Sequence, residues 1–357
     1  MNTRVQSADL NLIKLNNGAW NISNGYPKQN GKTVFSCFHG GGGSTMGYKL
    51  AGFNVLGGVE IDPKMMAVYR KNHNPKHSYM MGVKEFLTIP NENLPNELFS
   101  LDILDGSPPC SSFSIAGARD RLWSVKRKFA EGQVTQILDT LFFDFIDIAK
   151  KLQPKIVVAE NVKGLITGSA RGYVKQIFSA FDAAGYKCQL FLLNACRMGV
   201  PQLRERTFFI ANKIDKKITL DFDEPLIPLK KAFEGIDELG QRLTPHIEYF
   251  WKLCKPGKNL ATVHPKKHLF NHVKQDENSP SNTQTTCSTY MHWSEPRGFS
   301  DIAIKRMQTF PDDFEMLNAG SQYVCGMSVP PFMMQRLANQ IALQMLSNDL
   351  NAPTERI

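Results

Sequence analysis

Thr33-Val34-Phe35-Ser36-Cys37-Phe38-His39-Gly40-Gly41-Gly42-Gly43-Ser44 is the stretch that decides the architecture of this chain. Thr33 to Phe38 reads as a strand, the glycines interrupt it, and a helical pattern follows from about Ser44 to Ala51. Glycines between a strand and a helix allow positive φ and let a ligand approach the backbone, while the helix N-terminus favours negative charge. Taken alone, the same glycines also make a tight turn that binds nothing. Asn54 to Glu60 reads as a second strand. Glu60 closes it, in Val59-Glu60-Ile61-Asp62, about twenty residues past the glycines, where an acid of a Rossmann-like unit binds ribose hydroxyls. A solvated strand-end carboxylate fits that position too. No Gly-Lys-Ser/Thr follows the glycines, which argues against a nucleoside-triphosphate loop.

The alternation continues outward from this unit. Pro63–Asn72 reads as a helix, Leu101–Leu104 as a short buried strand, Thr135–Leu152 as an amphipathic helix and Ile156–Ala159 as a strand. Arg171–Ala184 is helical, and Tyr186–Asn194 and Thr207–Ala211 are strands. Strands alternating with helices predict an α/β fold with a mainly parallel, doubly wound sheet. Residues 1–30 are polar and Asn-rich and read as an extension or loosely packed arm. Past Asn212 the texture changes to Lys, Pro, Asn, His and Thr with little periodicity, so a small, loop-rich second domain is expected over 213–317. Helical patterns return at Asp301–Gln308 and Pro331–Leu346. The last helix is expected to pack back on the first domain, making that domain discontinuous, 31–212 plus 318–357.

A chain of 357 residues suffices for one large core, or a core plus a small domain. Hydrophobic content of 42% and charged content of 21% are ordinary for a soluble protein. No apolar stretch reaches the ~18 residues needed to span a bilayer. Met1–Ser7 lacks the apolar core of a secretory signal, so a cytoplasmic location is expected. The seven cysteines are scattered, without Cys-x-x-Cys or His-x-Cys spacing, so no metal site is expected and the thiols should be free in a reducing compartment. The formal charge of +9 suits a polyanionic partner, although a basic surface serving solubility has the same signature.

Three segments carry chemistry. Asp105-Gly106-Ser107-Pro108-Pro109-Cys110 sets a thiol in a proline-stiffened loop. Ala159-Glu160-Asn161-Val162 ends the apolar run Ile156–Val158 on a carboxylate. Thiol and carboxyl can serve one substrate as nucleophile and acid. Gln202-Leu203-Arg204-Glu205-Arg206 precedes another apolar run, and period-two alternation puts Arg204 and Arg206 on one side of an extended segment. Such fixed cations bind a carbonyl oxygen or hold a carboxylate. Read singly, the plainer alternatives are a buried structural thiol, an acid capping the next helix, and a structural salt bridge.

Together these segments resemble the DNA (cytosine-5) methyltransferases, over nearly the whole chain. The resemblance implies a Rossmann-like, S-adenosylmethionine-dependent large domain and a small target-recognition domain. It implies transfer of a methyl group to carbon 5 of a flipped-out cytosine in a short, specific duplex DNA sequence, with S-adenosylhomocysteine as by-product. Carbon 5 is a poor nucleophile within an aromatic ring. Adding the Cys110 thiolate to carbon 6 makes carbon 5 enamine-like and able to attack the methyl group. By the same resemblance Glu160 touches ring N3 and the exocyclic amine, Arg206 the base's oxygen, and Arg204 lies near the nucleophile. Phe38 stacks on the adenine and Glu60 holds the ribose, with Gly40, Gly42, Gly43, Ile61, Pro109, Leu141, Ser328 and Val329 completing the cofactor site. Ser111, Ser114, Asn161, Thr283 and Arg297 are expected at the DNA. Lys126-Arg127-Lys128, Arg119, Arg121 and Lys266-Lys267-His268 could meet phosphates, or could be solvated faces. Double-stranded DNA is the expected partner of a monomer, with no membrane and any cognate restriction endonuclease acting separately.

The chain departs from the family pattern at several places. Ser36 stands where an Asp is usual, Met81-Gly82-Val83-Lys84 lacks the Asp of a Gly-Asp-Ile segment, and Leu138-Asp139 replaces Arg-Gly before Thr140-Leu141-Phe142. Ser111 replaces Gln, Gln284 replaces an apolar residue after Thr283, and Met327 replaces Asn in Gln322–Pro331. Two other readings stay open. One is an RNA-directed relative, whose usual Cys-Phe-Thr element is missing here. The other is a catalytically silent DNA-binding paralogue, favoured by Met327 and Val83 and opposed by intact Cys110, Glu160, Arg204 and Arg206.

Overall fold

The computed structural model describes residues 19–109, 126–127, 136–137, 140–167, 171–287 and 289–347. A seven-stranded sheet forms its centre. The strands are β1 (Thr33–Cys37), β2 (Asn54–Glu60), β3 (His77–Met80), β4 (Ile103–Gly106), β5 (Ile156–Val162), β6 (Lys187–Asn194) and β7 (Glu205–Asn212). Their spatial order is β3-β2-β1-β4-β5-β7-β6. The first five are parallel; β7 runs antiparallel to both of its neighbours.

Strands covered on both faces must be apolar along their length, and side chains of successive residues point to opposite sides. Ile156 and Val158 of β5 belong to one core and Val157 and Ala159 to the other. In β7, Phe208 and Ile210 separate from Phe209 and Ala211 in the same way. Helices α1 (Gly43–Leu50), α2 (Pro63–His73) and α10 (Pro331–Gln344) cover the first face. On the second lie α3 (Val83–Thr88), α4 (Leu141–Leu152) and α5 (Arg171–Ala183). The first turn of α2 is set by Asp62, whose side chain accepts from the Lys64 and Met65 amides, and by Pro63 at the first helical position.

A second, smaller sheet of five strands lies in the stretch read as loop-rich. It comprises β8 (Leu239–Arg242), β9 (Lys258–Asn259), β10 (His272–Lys274), β11 (Thr289–Met291) and β12 (Arg297–Phe299), in the order β8-β12-β11-β10-β9. With α6 (Leu229–Ala232), α7 (Pro245–Leu253) and α8 (Asp301–Met307) it builds two small cores, one around Tyr290 and Phe299, the other around Trp251 and Met291. The chain re-enters the large lobe and forms α9 (Ser321–Met327) before α10.

The structure moves several expected boundaries. The loosely packed arm is packed from Trp20 onward: its indole is buried in the first core, and its Nε1 donates to the Thr309 carbonyl at 2.9 Å. The large lobe does not end at Asn212, because Ile214, Ile218, Leu220 and Phe222 pack on that core and Glu224 pairs with Arg336 at 2.9 Å. It resumes before 318, since Phe310, Phe314 and Met316 are core residues as well. The helix expected from Thr135 begins at Leu141, and Gln136–Ile137 pair instead with Lys126–Arg127 as strands. β3, α3 and α7 were not among the expected elements; β3 sits on the sheet edge with no residue fully buried.

Candidate active site

Strand order reverses between β1 and β4, and in open α/β sheets ligands bind in the crevice this leaves at the carboxyl ends of the strands. A cleft of about 750 Å³, open to solvent, lies there. Its floor is Phe38, His39, Gly40 and Gly43 of the turn from β1 to α1, and Glu60, Ile61 and Asp62 at the end of β2. Ser107 and Pro109 enter after β4, Leu141 from the start of α4, and Tyr323, Met327, Ser328 and Val329 from α9 and the residues after it. Nine of the ten residues expected at the cofactor thus converge on one cleft; Gly42 lies behind it.

Each glycine of the turn has its own reason. Gly40 has φ 53° and nothing within 4 Å of the position a Cβ would take, so its surface is left for a ligand. A Cβ on Gly42, at φ 94°, would stand 2.2 Å from His73 Nε2, and one on Gly43 would stand 2.2 Å from the Val329 carbonyl oxygen. Gly43 is therefore what lets the segment after α9 close against α1. Glu60 Oε2 accepts from the Gly40 amide at 2.9 Å, and Oε1 accepts from the Ile61 and Asp62 amides at 2.8 and 2.9 Å. Burial raises its pKa, and the three amides oppose that rise. A carboxylate offers about four acceptor sites, so one remains for a further donor such as a ribose hydroxyl. His39 stacks on Tyr69, ring centroids 3.7 Å apart, and its Nδ1–H donates to the Gly40 carbonyl at 2.8 Å. Burial holds its pKa at about 4, so it is neutral. The open face at Gly40, the spare acceptor of Glu60 and the apolar walls fit an adenosyl group. Val83, by contrast, opens α3 and is buried in the second core.

The missing Asp at position 36 has an explanation in the sheet. Ser36 and Asp105 are register partners on adjacent strands. Ser36 Oγ donates to Asp105 Oδ2 at 2.6 Å, and Tyr48 Oη donates to Asp105 Oδ1 at 3.2 Å. At this point of the sheet the carboxylate stands on β4 and a hydroxyl on β1. Burial raises its pKa to about 7, against the pull of its two hydroxyl partners.

β4 and β5 are also neighbours, with Gly106 opposite Ala159, so the proline loop and Glu160 leave the sheet at one corner. Asn161 Nδ2 donates to the Pro108 carbonyl at 3.0 Å and ties the two segments together. Cys110, Ser111 and Ser114 lie outside the described residues. Glu160 Oε1 accepts from Arg206 Nε at 2.9 Å, with both side chains close to nine-tenths buried. Arg206 Nη1 donates to the Glu205 carbonyl at 2.8 Å, and Nη2 has no partner among the described residues. Arg204, expected beside the nucleophile, commits its guanidinium to backbone. Nη1 donates to the Gln284 carbonyl at 2.8 Å, and Nη2 to those of Gly326 and Ser328 at 3.0 and 2.9 Å. Gln202 adds to this seam, donating to Gln308 Oε1 at 2.6 Å and accepting from the Gln284 amide at 3.0 Å.

The remaining expected residues do not meet here. Asn161 is 4% exposed and serves the Pro108 carbonyl, so its side chain is not presented to DNA in this conformation. Thr283 Oγ1 donates to the Leu203 carbonyl at 2.5 Å, at the seam between the lobes. Arg297 lies in β12, where Nη1 donates to the Gly240 carbonyl at 3.2 Å. Reading the sequence missed His39, Asp62, Ser107 and Tyr323 as wall residues of the cleft. All four lie within or beside a motif segment, Tyr323 inside Gln322–Pro331, so a signal was available for each.

A profile of C-5 cytosine-specific DNA methylases matches residues 32–343. The chain is 33% identical to the Type II methyltransferase M.DdeI of Desulfomicrobium norvegicum, across 91% of this chain and 92% of that protein. It is 29% identical to the Type II methyltransferase M1.HphI of Haemophilus parahaemolyticus, across 89% of this chain and 88% of its relative. In fold it matches a DNA modification methyltransferase encoded within an E. coli prophage, with TM-score 0.70 and 18% identity over 88% of this chain and 100% of that one. It also matches Spodoptera frugiperda DNMT2, with TM-score 0.61 and 14% identity over 86% and 98%. Among the described residues no helix is long and apolar enough to cross a membrane, and no side chains gather as a metal site. The chain belongs to the C-5 cytosine-specific DNA methylases, enzymes of the restriction-modification type.

Proposed function

We propose that this protein methylates carbon 5 of a flipped-out cytosine within a short, specific duplex DNA sequence, through a covalent bond between Cys110 and carbon 6. The observation that carries this reading is the corner where Asn161 holds Pro108. It joins the loop leading to Cys110 to the strand end that bears Glu160, directly beside the cleft lined by Pro109. Bound S-adenosylmethionine supplies an electrophilic methyl group. The Cys110 thiolate would add to carbon 6, and carbon 5 would take the methyl group as its bond to the cofactor sulfur breaks and S-adenosylhomocysteine leaves. Loss of the carbon 5 proton and departure of the Cys110 sulfur restore the ring. Glu160 bonds N3 and the exocyclic amine, held in place by Arg206 Nε, while Arg206 Nη2 takes the base's carbonyl oxygen. Arg204 is a positioning residue: its three carbonyl partners fix the segments from both lobes that frame the corner.

On this reading Phe38, Gly40, Glu60, Ile61, Leu141, Ser328 and Val329 hold the cofactor. The small lobe, about 229–308, recognises the target sequence, with Thr283 and Arg297 at its DNA side. The enzyme acts as a cytoplasmic monomer on double-stranded DNA, and any cognate endonuclease works apart from it. Incubation with labelled S-adenosylmethionine and plain duplex DNA, followed by digestion to nucleosides, tests the reaction. Labelled 5-methylcytosine is the expected product. Label in transfer RNA alone would replace the DNA reading with the RNA one, and label in neither would point to a silent DNA-binding protein.

A further inference from the structure

Tyr323 joins two walls of the cofactor cleft that are far apart in the chain. It stands on α9, and its hydroxyl donates to Asp62 Oδ2 at 3.2 Å across a separation of 261 residues. Asp62 is 3% exposed and divides its carboxylate between two tasks. Oδ1 accepts from the Lys64 and Met65 amides at 2.9 and 3.3 Å and caps α2; Oδ2 serves Tyr323. Both side chains line the cleft, and so does Met327, one turn further along α9 and 49% exposed at the rim. The bond therefore spans the cleft next to Glu60, whose spare acceptor faces the ribose in the reading above. The far end of α9 is held independently, since Arg204 fixes the carbonyls of Gly326 and Ser328 and Gln308 adds a second bond to Ser328. Tyr323 is partly buried, with its ring packed against the first core and its hydroxyl reaching Asp62.

We propose that the Tyr323–Asp62 hydrogen bond is a clasp between two walls of the cofactor cleft, closed while the cofactor is held and broken for exchange. The inference rests on the cleft being the S-adenosylmethionine site. Tyr323 is a positioning residue in this scheme: it acts on cofactor retention through Asp62, and the methyl transfer itself does not involve it. Removing the hydroxyl leaves the buried Oδ2 without this donor and leaves the two walls untied at the mouth.

The test is the release rate of labelled S-adenosylhomocysteine from the full chain, chased with unlabelled compound. Tyr323→Phe keeps the ring and should speed release about tenfold, the size expected for one lost hydrogen bond. Its KM for S-adenosylmethionine should rise more than its kcat falls. Asp62→Ser retains a good helix cap but is too short to reach Tyr323, and should speed release to the same degree. The double variant should release no faster than either single one. Release at the wild-type rate from folded Tyr323→Phe, or effects that multiply in the double variant, would overturn the clasp. Failure of the wild-type protein to hold S-adenosylhomocysteine would instead overturn the reading of the cleft, and the clasp with it.

Discussion

The two lobes solve different problems with different material. Strands of the large sheet run four to eight residues and the inner ones are covered on both faces, whereas those of the small sheet run two to four. Nine expected cofactor residues from five separate segments of the large lobe meet in one cleft. The expected small-lobe residues Thr283 and Arg297 share no site and bond single carbonyls in different places. Chemistry needs groups within hydrogen-bond reach of one reacting centre, which forces a fixed spacing on a rigid sheet. Recognition needs side chains presented along a surface, which short strands and loops provide with little sequence regularity.

Experiments can break this contrast at several points. Cys110→Ala should abolish turnover while DNA binding survives, measured by product formation beside a gel shift; methylation by that variant would remove the large lobe's claim to the chemistry. Glu160→Gln should lower kcat by roughly 10²–10⁴, the range for a positioned proton donor, while cofactor affinity stays near wild type. A rate within twofold of wild type would take Glu160 out of the reaction. Arginines of the two lobes should differ sharply in stability. Arg204→Ala strands the Gln284 and Gly326 carbonyls and takes one of two donors from that of Ser328, and should cost roughly 3–5 kcal/mol, whereas Arg297→Ala loses one long hydrogen bond and should cost less than about 1 kcal/mol. Equal losses in urea denaturation would mean that the seam between the lobes is no stiffer than the small sheet.

The smallest effect concerns pH. Asp105 ionises in the folded chain only near pH 7, against 3.8 for an unburied Asp, so between those values the native state holds a proton that the unfolded chain has released. Its contribution to stability therefore falls as pH rises from about 4 to 7 and is constant above. Asp105→Asn should flatten the fall in stability over that window, read from denaturation midpoints at pH 5 and pH 7. An unchanged slope would show that the carboxylate shared by Ser36 and Tyr48 is ionised throughout.

Much was determined by the sequence itself. The alternation of strands and helices specified a doubly wound sheet, because continuous apolar strand runs such as Ile156–Ala159 are satisfied only by burying both faces. The turn at Phe38–Gly43, Glu60 at the next strand end and the Glu-Asn-Val segment were legible as candidate positions, since each is read from a few consecutive residues with a local backbone requirement. Tertiary structure alone decided what depends on contacts between distant segments. Ser36 looked like a loss until the sheet register set Asp105 beside it. Trp20 looked like part of a loose arm until Thr309, 289 residues away, accepted its indole proton. Arg204 and Arg206 sit two residues apart on one side of one segment, yet one faces backbone carbonyls and the other Glu160. Spacing along a chain orients a side chain to a face; only the chain folded against that face determines its partner.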